Sequence, residues 1–148
     1  MQTYLLDSAL KILIYASIAQ RKNFFRFSEG KMDRGVLNNY CTVRMSTARG
    51  AGHTHAVAEA ARMFAKPIVM SPSEGIGRTL LELVKDDDKI MFFSAEAMAR
   101  GSARGYDCDA ILVDCAFGLS SRQIEHVEYH ALACLPKHGD TFCLVYVE

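Results

Sequence analysis

The stretch STARGAGHT, Ser46 to Thr54, has the residue types of a loop that holds phosphate. Gly50 and Gly52 let backbone N–H groups converge on an anion, and a helix beginning just beyond them adds the positive end of its dipole. Arg49 supplies a cation, and the Thr54 hydroxyl is suited to a magnesium ion beside the phosphate. Against the pattern G-x-x-x-x-G-K-[ST], Gly52 and Thr54 stand at the expected places, whereas Thr47 replaces the first glycine and His53 replaces the lysine. Arg49, Gly50, Gly52, His53 and Thr54 are therefore the candidate phosphate-binding residues. Further along, DAILVDC is an apolar run ending in Asp114, a candidate ligand for the same magnesium.

A second chemistry is suggested by Arg21, Lys22, Phe24, Phe25, Arg26 and Phe27, where aromatic rings that can stack on bases alternate with cations that can hold phosphates. Arg100 and Arg104, each followed by glycine, add a cationic loop. These eight residues are the candidate nucleic-acid contacts. His126 and His130 share a helix face at i, i+4, but without an HExxH arrangement they read as a solvated surface. His53 and His55, two apart, cannot share a face. The five cysteines are dispersed with no CxxC pair, so a zinc site is not expected and the thiols read as free and reduced. That usage points to the cytoplasm.

The elements that must position these residues follow from hydrophobic pattern. YLLDSALKILIYASIAQ is an apolar helix interrupted by Asp7 and Lys11, too short in unbroken apolar length to span a bilayer. Leu6, Ala9, Leu10, Leu13 and Ser17 lie near one face, and Ile12, Ile14 and Ile18 widen the apolar surface enough to suggest contact with a second subunit. Arg21 to Gly35 reads as a connection or short helix. The runs around Cys41 to Met45, KPIVMSP, KIMFFSA, DAILVDC and TFCLVYV read as strands. HTHAVAEAARMFA, SEGIGRTLLELVKDDD and SSRQIEHVEYHALACLP read as helices, the last with a serine cap and a proline stop. Strands that are apolar throughout are buried on both faces, so the expected fold is α/β: a mostly parallel sheet with helices on both sides. The expected organisation is one domain over 1–148, with a helical and basic-aromatic extension over 1–35 and a core over 41–148.

In this strand–loop–helix setting, ARGAGHT and RGSARGYDCDAILVDC resemble the ATPase core of phage terminase large subunits and of related helicase-like P-loop proteins, through Arg49, Gly50, Gly52, Thr54, Gly105, Asp109 and Asp114. The resemblance covers roughly 42–147. It implies a P-loop-like fold, a phage origin and ATP with magnesium as the ancestral ligand. It also implies that His53 stands where a lysine neutralises the β- and γ-phosphates, and that Cys115 stands where a glutamate orients the attacking water.

With 17 Lys plus Arg against 17 Asp plus Glu, the chain has no global basic signal, so any affinity for nucleic acid must come from local clusters. The expected function is non-catalytic binding of single-stranded nucleic acid, DNA first, in replication, transcription or packaging, with no required cofactor and no membrane. Host or phage polymerase or packaging machinery are the expected partners, and the protein is expected to be a homo-oligomer. Two other readings stay open: a slow or regulatory NTPase binding ATP and magnesium, and a protein–protein interaction factor acting on a host or phage machine.

Overall fold

Five short strands pair side by side: β1 (Thr42–Met45), β2 (Pro67–Ser71), β3 (Met91–Ser94), β4 (Ala110–Val113) and β5 (Cys143–Val147). The computed structural model describes residues 2–27, 33–47 and 52–148, with 2–4 and 22–27 as backbone only. All four strand pairings are parallel, in the order β1-β5-β4-β2-β3. The fold is therefore α/β, as the uninterrupted apolar runs require. Alternate residues of each inner strand feed two different cores. Ile68, Met70, Ile111, Val113, Leu144 and Tyr146 face one side, and Val69, Ala110, Leu112, Cys143 and Val145 face the other.

The helices cover both faces. α1 (Gln2–Phe27), α3 (His53–Ala61) and α4 (Arg78–Val84) pack on one. α5 (Ala95–Ala99) and α6 (Ser121–His138) pack on the other, beside a wide π-type turn at Leu37–Cys41 that follows the single-turn α2 (Arg34–Val36). α1 turns inward only part of the expected face: Leu6, Leu10 and Ser17 do face the interior. Asp7, Leu10, Ile14 and Arg21 are buried, whereas Ala9 and Leu13 are exposed. The reason is that two polar residues find partners inside: Asp7 meets His55 Nδ1 at 3.2 Å, and Arg21 donates to the Phe142 carbonyl. A pattern read from apolar residues alone misses them.

α6 starts as its sequence implies. The Ser120 hydroxyl accepts from the Gln123 N–H and the Gln123 side-chain oxygen accepts from the Ser120 N–H, a reciprocal cap. Its expected stop at Pro136 is corrected. The helix runs through the proline to His138, because Pro136 forfeits only its own N–H bond in the final turn. Gly139, at φ 51°, then ends the helix by donating to the Leu135 carbonyl. α4 begins at Arg78, later than expected, and leaves Ile76 exposed. Before it, Gly77 lets the chain pass close to β2 and β3: a Cβ there would sit 2.6 Å from Phe92 Cζ and still closer to the Ser71 hydroxyl. Gly77→Ala is expected to destabilise by about 1–3 kcal/mol through overpacking, read as a lower urea midpoint at unchanged slope.

Candidate functional site

Two of the candidate segments meet at the carboxyl ends of the strands. β5 lies between β1 and β4, and Asp114 stands just beyond β4, next to the start of α3. Gly52, at φ 83°, makes the final turn into α3. Among the described residues no side chain caps that helix. Thr54, in the first turn, donates its hydroxyl to Asp114 Oδ2 at 2.7 Å. His53 Nε2 lies 3.3 Å from Asp114 Oδ1 and 3.4 Å from Cys115 Sγ. Asp114 is only 1% exposed, and its Oδ1 also accepts from the Cys115 N–H at 3.0 Å.

The hydroxyl and carboxylate oxygens fit a magnesium ion. Adjacent oxygens of an octahedral Mg²⁺ lie roughly 2.9 Å apart, given Mg–O distances of about 2.0–2.1 Å. Thr54 Oγ1 and Asp114 Oδ2 are already near that spacing and would need only to exchange a hydrogen bond for two metal–oxygen bonds. His53 Nε2 is turned back on Asp114 and Cys115.

Cys115, with φ 53°, turns the chain away after β4. Burial, then the Asp114 charge, then the hydrogen bond to Asp114 push its thiol up to about 11. The nucleophile is the thiolate, so a raised value suppresses reactivity until pH approaches it. Iodoacetamide labelling of Cys115 at pH 8, followed by peptide mass spectrometry, is expected to run about a hundredfold slower than for a free thiol titrating near 9. Asp114→Asn should accelerate it part-way, since burial remains; labelling at the free-thiol rate in the unaltered protein would refute the assignment.

The other expected site residues are dispersed. Arg49 and Gly50 lie outside the described residues. Lys22, Phe24, Phe25, Arg26 and Phe27 lie in the last turns of α1, and their side chains are outside the description too. Arg21 is corrected: it is fully buried, its guanidinium committed to the Phe142 carbonyl and to Cys143 Sγ, so it faces no nucleic acid. Asp109 accepts from the N–H groups of Ala65 and Lys66, joining the starts of β2 and β4.

Arg100 and Arg104 are exposed and line a cavity of about 690 Å³ between the α5–β4 segment and α6. Gly52, His53, Thr54 and Asp114 are not among its lining residues, so the structure brings the two groups of candidates to different places. Sequence reasoning missed several residues of this cavity's lining: Arg34, Arg122 and Lys137, with Tyr106 and Tyr129. One signal was available. Arg122, His126, Tyr129, His130 and Lys137 recur at helical spacing and share one side of α6.

Fold and site together define an all-parallel α/β protein with a threonine–carboxylate–histidine cluster at its strand ends and a cationic cavity on one helical face. No protein family and no curated protein matches the chain. Among the described residues no helix is long and apolar enough to cross a membrane.

Proposed function

We propose that the protein binds single-stranded nucleic acid in the cationic cavity, keeping a P-loop-like phosphate site at its strand ends without efficient hydrolysis. The observation that carries this reading is the gathering of Arg34, Arg100, Arg104, Arg122 and Lys137 around one cavity whose carboxylates are Asp107 and Glu125. Tyr129, 76% exposed on the same lining, offers a face on which a base can stack. Cations beside an accessible aromatic suit a flexible single strand, whose bases are free to turn toward the protein. The expected setting is phage replication, transcription or packaging, through the terminase resemblance. Titrating a labelled single-stranded oligonucleotide at increasing salt, with duplex DNA alongside, tests it. Binding that weakens steadily with salt and prefers the single strand is expected; no binding at low salt would sink the reading.

A second reading, a slow or regulatory NTPase holding ATP with magnesium, is favoured by the 2.7 Å Thr54–Asp114 contact. Calorimetry with Mg·ATP, compared with Thr54→Val, separates it from the first. Turnover is expected to be negligible under the first reading, because neither His53 nor Cys115 supplies the charge or the base that phosphoryl transfer uses, and measurable but slow under an NTPase reading.

Self-association belongs to the same proposal. Leu5, Ile12 (65% exposed) and Tyr15 form an apolar stripe at i, i+7, i+10 on the side of α1 turned away from its own core. Light scattering should give a mass above the 16.4 kDa monomer, and Ile12→Glu with Tyr15→Glu should lower it to the monomer value.

A further inference from the structure

Two cysteines and a histidine that the sequence keeps apart converge at the edge of the cationic cavity. His130 and Cys134 are one helical turn apart on α6, so their side chains share a face. Cys108 comes from the segment that enters β4. Cys108 Sγ lies 3.6 Å from Cys134 Sγ, and Cys134 Sγ lies 3.8 Å from His130 Nε2. All three ligand atoms lie within 4.8 Å of one another.

We propose that Cys108, His130 and Cys134 form a zinc site, with the fourth position open to the cavity. Tetrahedral zinc with Zn–S about 2.3 Å and Zn–N about 2.0–2.1 Å places its sulfurs roughly 3.8 Å apart and sulfur roughly 3.5 Å from nitrogen. The Cys108–Cys134 and Cys134–His130 separations, 3.6 and 3.8 Å, match two of those edges, and the Cys108–His130 separation lies within 4.8 Å. Two sulfurs and an imidazole select zinc, or a similarly soft ion, over magnesium or calcium, which take oxygen ligands. The sulfurs are held in place: Cys108 and Cys134 both belong to the buried core on this face of the sheet. Cys134 and His130 also line the cavity, so water or a ligand group can complete the coordination from outside. Each thiol gives its proton to solvent as its Zn–S bond forms, so binding one ion releases up to two protons. The site does not depend on the cavity's binding nucleic acid.

The test is an anaerobic titration of the reduced, chelator-treated full chain with Co²⁺, followed by displacement with Zn²⁺. One ion per chain is expected, with the visible bands of tetrahedral cobalt and a thiolate-to-cobalt charge-transfer band. Cys134→Ser should weaken binding by at least about a hundredfold, and His130→Ala by at least about tenfold. If Cys108→Ser or Cys134→Ser fails to fold, His130→Ala, whose side chain sits at the half-buried rim, carries the test, with circular dichroism confirming its fold. Absence of cobalt uptake with all thiols reduced would overturn the proposal. So would binding that survives in His130→Ala at unchanged affinity, or binding lost in Cys115→Ser and kept in Cys134→Ser, which would move the ion to the His53–Asp114–Cys115 cluster. A Cys108–Cys134 disulfide on mild oxidation, in a protein with no metal affinity, would show the pair to be a redox couple and overturn it equally.

Discussion

Arg21→Ala is expected to destabilise the fold by about 3–5 kcal/mol, the largest effect of any single substitution considered. Arg21 is fully buried. Its Nη1 donates to the Phe142 carbonyl, its Nη2 to Cys143 Sγ at 3.0 Å, and its Nε to the Ser17 carbonyl at 3.3 Å. Phe142 and Cys143 lead into β5, so this one side chain fastens α1 to the strand that sits between β1 and β4. Among the described residues no salt bridge involves it. Burial outweighs the nearby guanidinium and pushes the Cys143 thiol up to about 11, so that neighbour stays protonated at neutral pH. The charge is thus held by carbonyl dipoles and sulfur. Alanine would leave a long cavity and a carbonyl without its donor. Arg21→Met refills the volume without the donors and should recover part of the loss, which separates packing from hydrogen bonding. Urea unfolding at constant slope reads both. A cost below about 1 kcal/mol for alanine would mean that the seam relaxes and that Arg21 does not fasten it.

The double change Arg100→Ala with Arg104→Ala is expected to reduce affinity for single-stranded DNA about 25-fold at 0.1 M salt. Each phosphate neutralised on a single strand contributes about 0.7 to the slope of log affinity against log salt, so losing two flattens the slope by about 1.4. That difference, carried from 1 M to 0.1 M, is the 25-fold loss. Both side chains are exposed, so the urea midpoint should not move. Tyr129→Ala should behave differently. Losing one stacked base weakens binding by about 1–3 kcal/mol and leaves the salt slope alone. An unchanged slope in the double variant would place the nucleic acid elsewhere on the surface, or nowhere.

The architecture was legible in the order of residues alone. Strands buried on both faces must be apolar at every position, so LVYV, AILV and PIVM announced a parallel sheet covered on two sides without any tertiary information. The start of α6 was equally local, since Ser120 and Gln123 cap each other three residues apart. The approach of Thr54 to Asp114 was legible too, because each sits at the end of its own element and a parallel sheet brings such ends to one edge. Other features emerge only from how the elements dock on one another. The inner face of α1 includes Asp7 and Arg21, whose burial is tolerable only because His55 and the Phe142 carbonyl come from distant elements to meet them. The cationic cavity joins Arg34, the α5–β4 segment and α6, which no common period links. Cys108 and Cys134 are 26 residues apart, with no ligand spacing that a pattern could register. Local periodicity reports which way a side chain points from its own backbone. Which side chains then face one another across a gap is set by how helices dock on the sheet, and that information is spread over the whole core.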